Sequence, residues 1–231
     1  MRHHARLLRT TLTASLMLLA IAGATVAGPL EDADNAYKRG DYTIALRLYR
    51  ALADHGNADA QERLGAMYDR GEGTPQSYAK ALKWYRRAAD QGDADAQNNV
   101  GEMYHDGLGV WQSYTKALKW FRKAADQGNA YAQKNLGYMY EHGEGAPQDY
   151  VQAHMWLSLA VSNFSASDKE SRDKAIEDRN RVASQMTSAQ IAEAQKLASE
   201  WKPTLKPTPT LRPTPTLKRT PKPTSKPKPK R

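Results

Sequence analysis

The chain contains no cysteine, which excludes a disulfide, a thiolate metal site and a cysteine nucleophile. Stability outside the cell would then have to come from packing alone. Acidic residues are missing from both ends. Residues 1–27 hold Arg2, Arg6 and Arg9 with no carboxylate, and residues 202–231 hold ten Lys or Arg with none. The net charge of +9 therefore belongs to the termini. The middle keeps 21 of the 34 basic residues against all 25 acidic ones, a net of −4. Such mild acidity gives no indication of a basic nucleic-acid-binding face. There is no G-x-S-x-G, no H-E-x-x-H and no phosphate-cradling glycine loop. The Gly-x-Gly pairs come after a helical pattern instead of before one, so they serve to turn the chain.

The N-terminal apolar stretch, Leu12 to Ala24, is too short and too rich in Ala, Gly and Thr for a membrane span, which needs about 20 apolar residues. Three arginines before it and small residues after it give residues 1–27 the pattern of a secretory signal peptide, cleaved after Ala24 or Ala27. An uncleaved N-terminal membrane anchor is the alternative.

What the chain does have is one 36-residue unit written three times. Residues 58–93 and 94–129 match at 23 of 36 positions without a gap, and 130–163 keeps the skeleton. A gapless repeat of this period marks stacked helical hairpins, because one hairpin cannot bury its apolar face alone. Asn57, Asp93 and Asn129 can cap each first helix, and Gly71, Gly107 and Gly143 can end it. Gly73, Gly109 and Gly145 continue the turn. Ser77, Ser113 and Asp149 can cap the second helices. Helical phase puts Gln61, Leu64, Met67 and Tyr68 on one packing side, with Gly65 beside them for close approach. Gly101, Tyr104, Gly137 and Tyr140 repeat that skeleton. In the second helices Ala81 and Trp84 recur as Ala117 and Trp120, then Ala153 and Trp156, at one core position. Residues 28–57 form a degenerate terminal hairpin, since Tyr42, Ala45, Leu46 and Tyr49 fall on Tyr78, Ala81, Leu82 and Tyr85 when shifted by 36.

The pattern A-x-A-Q, L-G-x-M-Y, G-x-G and Y-x-K-A-L-K-W-Y-R-K-A-A-x-Q-G resembles the Sel1-like repeat family, relatives of the tetratricopeptide repeats. The resemblance covers Asp41 to about Asn163, and the segment after Asn163 is similar to the closing segment of exported bacterial Sel1-like proteins. It implies an all-α fold, an α-solenoid of helical hairpins that binds other proteins. It also offers an enzymatic alternative, β-lactam binding or hydrolysis. That activity is linked to cysteine-rich members, whose disulfides this chain cannot form.

Residues 164–201 read as two capping helices over the last repeat. Ala175, Ile176, Arg179, Val182, Ala183 and Met186 form one stripe. Thr187 and Gln190 form a capping box before a second stripe of Ile191, Ala194, Leu197, Ala198 and Trp201. With nine prolines in its 30 residues, 202–231 is expected to be a disordered, basic, extended arm. It serves as a spacer or tethers the chain to a polyanion such as a cell-wall polymer or a lipid headgroup surface; binding to nucleic acid would be non-specific.

A partner would sit on the concave surface lined by first helices. Its varied positions are Glu62, Ala66, Asp69 and Arg70; then Asn98, Glu102, His105 and Asp106; then Tyr131, Lys134, Tyr138, Glu141 and His142. The third set, with Tyr131 and Tyr138, is the favoured end. Trp111 stands where the other copies have Pro75 and Pro147, either as an exposed contact or tucked against the next repeat. His105, Glu141 and His142 fall short of the three or four backed ligands of a zinc site, so no metal and no cofactor is assigned. The expectation is a non-catalytic interaction scaffold of the bacterial envelope, periplasmic or secreted. Binding to the cell wall or another anionic surface through the tail is a third option.

Overall fold

The computed structural model describes residues 28–204. The signal-peptide reading of residues 1–27, and the disorder read for residues 205–231, lie outside the described residues. Within them the chain is ten α-helices with no strand. They are α1 (Pro29–Lys38), α2 (Tyr42–Asp54), α3 (Ala58–Arg70), α4 (Tyr78–Asp90), α5 (Ala94–Asp106), α6 (Tyr114–Asp126), α7 (Ala130–His142), α8 (Tyr150–Asn163), α9 (Lys169–Ala183) and α10 (Ser188–Glu200). Every consecutive pair of helices from α1 and α2 to α8 and α9 is packed together. This zigzag makes a two-layered α-solenoid, with odd-numbered helices in one layer and even-numbered helices in the other.

The helix ends are set by local chemistry. The side chains of Asn57, Asp93 and Asn129 accept bonds from the amides of Ala60, Ala96 and Ala132, satisfying one free donor in each first turn. Ser77 and Asp149 do the same for α4 and α8, while Ser113 makes no such bond. Gly71, Gly107 and Gly143 close α3, α5 and α7 in the left-handed conformation. Thr187 and Gln190 form both bonds of the capping box that opens α10.

Close packing depends on two glycines per repeat. A Cβ on Gly101 would lie 2.6 Å from the Phe121 ring, so α5 and α6 touch only because that atom is absent. Gly65 stands in the same relation to Tyr85, and Gly137 to Leu157. In the loop after α5, Gly109 has φ +68°, and its missing Cβ would lie 2.6 Å from the carbonyl carbon of Tyr78 at the start of α4. Gly73 and Gly145 meet Tyr42 and Tyr114 in the same way. Each loop thus rests on the backbone of the preceding repeat.

Polar groups also tie the copies together. Gln97 is buried; its amide donates to the Ala89 carbonyl, and its oxygen accepts from Gln127. Gln61 and Gln133 repeat this arrangement with Gln91 and Asn163. Arg50, Arg86 and Arg122 each donate to the hydroxyl of the next first helix, Tyr68, Tyr104 and Tyr140. Tyr68 and Tyr104 are also covered by Lys80 and Lys116 and are buried. Tyr140, whose corresponding neighbour is Gln152, is only half-buried.

One sequence expectation needs correction. Trp84 and Trp156 are buried, but Trp120 is half-buried. Trp84 lies under both Lys83 and Arg87, and Trp156 meets Arg122 and Trp201, whereas Lys123 alone lies over the Trp120 ring. At the C-terminal end α9 and α10 take separate places against the last repeat. Each packs on α8, α9 as the next helix of the odd layer and α10 against the even layer. The Thr204 amide donates to the Asp126 carbonyl at 2.6 Å, fixing the chain against the end of α6.

Charge is divided between the layers, which the composition average conceals. α2, α4 and α6 carry ten Lys or Arg, and their only carboxylates are Asp54, Asp90 and Asp126, the last residue of each helix. The odd layer, from α1 to α5 above all, is acidic.

Candidate functional site

The odd helices line a furrow whose floor is a run of side-chain bonds between successive repeats. Asn99 on α5 donates to Glu62 on α3 at 3.2 Å. Asn135 on α7 donates to Asn98 at 3.1 Å and to Glu102 at 3.3 Å, both on α5. Arg63, at the same repeat position as Asn99 and Asn135, faces Asp34 at 3.7 Å. The sequence reading missed Asn99 and Asn135. Their signal was a position polar in every copy, one residue behind the varied set.

The furrow deepens twice. Between α1, α3 and α5 lies a depression of about 360 Å³ lined by Leu30, Asp34, Asp59, Glu62, Arg63, Asp93 and Asp95. Burial, reinforced by Asp93 and Asp95 against the opposing Arg63, pushes the Glu62 carboxyl up to about 7. Between α5, α7 and α9 lies a second depression of about 550 Å³. α5 supplies Glu102, His105 and Asp106; α7 supplies Lys134, Asn135, Tyr138 and His142; α9 supplies Lys174, Asp178 and Arg181. Phe121 and Met139 form its floor.

His105 is held between two carboxylates. Its Nδ1 lies 2.6 Å from Asp106 Oδ1 and its Nε2 lies 2.8 Å from Glu144 Oε2. Burial opposes the imidazolium, but the bonds to Asp106 and Glu144 outweigh it and raise the His105 pKa. Glu102 is also raised, by burial among the groove walls, although Asn98 and Asn135 donate to it. Tyr138 is 44 % exposed and stacks on His142 at 4.1 Å between ring centroids.

The structure therefore brings together Glu102, His105, Asp106, Lys134, Tyr138 and His142, and leaves the other named positions elsewhere. Asn98 is buried and spent on Glu102 and Asn135, so it offers a partner nothing. Tyr131 does not join Tyr138; its ring meets Phe164 edge-on at 5.0 Å. Glu141 accepts two bonds from the Arg181 guanidinium, at 2.8 and 2.9 Å, and fastens α9 to α7. In the first repeat Arg70 donates to Tyr37, Ala66 packs on the core, and burial raises Asp69. Lys174, Asp178 and Arg181 could not be read from the repeat, because α9 lies beyond its last copy. Trp111 is 93 % exposed, so it is not tucked against the next repeat. Among the described residues no group of three or more His, Asp or Glu is placed to hold a metal ion.

Comparison with known proteins points the same way as the geometry. The Sel1 repeat profile matches residues 34–57, 58–93, 94–129 and 130–163, more than half of the chain. Among solved structures, a Sel1 repeat protein from Oxalobacter formigenes is 28% identical over 73% of this chain and 73% of its own, with a TM-score of 0.56. A protective antigen present in uropathogenic Escherichia coli strains, displaying an SLR fold, is 28% identical over 76% of this chain, with a TM-score of 0.52. This chain spans 45% of that antigen's length. No curated protein matches the sequence significantly.

Proposed function

This chain belongs to the Sel1 repeat family, whose repeats mediate protein–protein interaction, and we propose that it is an exported, non-catalytic adaptor holding a partner polypeptide between α5, α7 and α9. The observation that carries this reading is a contrast within each repeat. The packing residues are spent on the solenoid itself, through the Gln, Arg–Tyr and glycine contacts. Among the described residues the 550 Å³ groove keeps Lys134 and Lys174 without hydrogen-bond or ion-pair partners and leaves Tyr138, stacked on His142, exposed, in a set that no other repeat reproduces. Mixed charge around an exposed aromatic stack suits a polypeptide, since rings and long aliphatic stems supply the central contacts of such interfaces.

The test is capture by purified, tagged full-length chain from cells crosslinked beforehand, comparing the natural sequence with Lys134→Glu/Tyr138→Ala. Glu102 is left alone because it accepts two structural bonds. The proposal expects one polypeptide to be lost with the variant while the melting temperature holds. An unchanged capture pattern would rule out this groove. N-terminal sequencing of the mature protein tests export, with a start near Gly28 expected. A nitrocefin assay tests the non-catalytic reading, with no turnover expected.

A further inference from the structure

The even layer carries a feature that the groove does not use. On α2, α4 and α6 the cations Arg47, Lys83 and Lys119 recur in one register and are all exposed. Among the described residues none of the three has a carboxylate within ion-pair distance. The three helices are neighbours in space. Arg50 and Lys80, from α2 and α4, lie over the same Tyr68 ring, and Arg86 and Lys116, from α4 and α6, lie over Tyr104. Their cations thus form a two-dimensional grid. Thr204, bonded to the Asp126 carbonyl, holds the end of the described chain against the end of α6. The exposed indole of Trp111 lies in the loop leading into α6, five residues before Lys116.

We propose that the outer face of α2, α4 and α6 docks on a bilayer surface rich in anionic lipid, leaving the groove of the odd layer free. A plane of headgroup phosphates complements a grid of cations that no carboxylate neutralises at ion-pair distance. Each Lys or Arg near such a surface contributes roughly fivefold in affinity. An exposed indole in the loop before α6 is suited to the headgroup level. Single-stranded nucleic acid, by contrast, needs open aromatic faces for stacking. Arg87 lies over Trp84 at 4.5 Å and Lys123 over Trp120 at 4.1 Å, so those rings are already covered, and the single open indole of Trp111 does not make a stacking series.

The experiment is cosedimentation of the full chain with vesicles of phosphatidylcholine alone, and of phosphatidylcholine with phosphatidylglycerol. Binding is expected to the anionic vesicles only and to weaken as salt rises. The triple variant Arg47→Gln/Lys83→Gln/Lys119→Gln should bind about a hundredfold more weakly, with unchanged circular dichroism and unchanged groove-dependent partner capture. The single variants Lys83→Glu and Trp111→Ala should each weaken binding, and they keep the proposal open to refutation if the triple variant does not fold. Any of three results would overturn it: equal binding to both vesicle types, full binding by the variants, or complete loss on truncation after Thr204. Displacement from the vesicles by duplex DNA or RNA that binds more tightly at the same salt would also overturn it and point to a nucleic-acid partner.

Discussion

Replacing Gly109 with alanine should be among the more damaging single-methyl changes in this protein, and the contact it breaks lies between repeats. Gly109 sits at φ +68°, a conformation that costs an L-residue about 1–2 kcal/mol. A Cβ there would also lie 2.6 Å from the Tyr78 carbonyl carbon and 2.8 Å from the Ala79 nitrogen, so backbone in the preceding repeat must move. Overpacking of this kind costs about 1–3 kcal/mol more. Gly92 supplies the control. Its φ is +91°, but nothing lies within 4 Å of its missing Cβ, so Gly92→Ala carries the conformational cost alone. The difference between the two variants isolates the contact between repeats, at about 1–3 kcal/mol. Urea unfolding followed by far-ultraviolet circular dichroism reads it as a lower midpoint for Gly109→Ala at the same slope. Equal midpoints for the two variants would refute the claim that the loops bear on the preceding copy.

The furrow and the ladders carry further predictions. Glu62 titrates near 7 in the fold and near the ordinary carboxylate value when unfolded, so the folded state binds more protons between those values. Its contribution to stability is complete below about pH 4 and is lost as pH rises through about 7. Glu62→Gln keeps the acceptor for Asn99 and should narrow the difference in urea midpoint between pH 5 and pH 8, gaining most at pH 8; an unchanged difference would count against the assignment. Gln97→Leu leaves the Gln127 amide and the Ala89 carbonyl without their buried partner and should cost about 2–4 kcal/mol, read by the same unfolding curves, and a neutral result would remove the ladder from the account. Arg181→Ala breaks the twofold bond to Glu141 and should cost about 1 kcal/mol, since the guanidinium is half exposed. Hydrogen exchange should show that loss as faster amides in α9 and little change in α5, whereas uniform change would refute a local clasp.

The repeat made the scaffold readable. Asn57, Asp93 and Asn129 cap because a short acceptor before an amphipathic run has few other uses, and the glycine spacing marks where chain must turn or approach. Pairings across repeats were not readable. Arg86 is phased with the solvent-facing lysines of α4, and only the docked next copy puts Tyr104 within its reach. Gln61 was legible as a packing residue, but its bond to Gln91, 30 residues away, depends on the offset between layers. The groove was legible at His105, Lys134 and Tyr138, where three copies differ. It was not legible at Lys174 and Arg181, because a helix outside the period has no register to compare. The basic outer face disappeared in the sum over two layers of opposite sign.

The central claim is that the groove between α5, α7 and α9 is where a partner polypeptide sits. It is tested most directly by placing a photo-crosslinking amino acid at position 138 in the groove, and separately at position 79 on the outer layer, in the producing cell. The account predicts a discrete protein adduct from position 138, absent from position 79 and lost when Lys134 and Lys174 are changed to Glu. The same adducts from both positions, or an adduct at 138 indifferent to those two lysines, would contradict it.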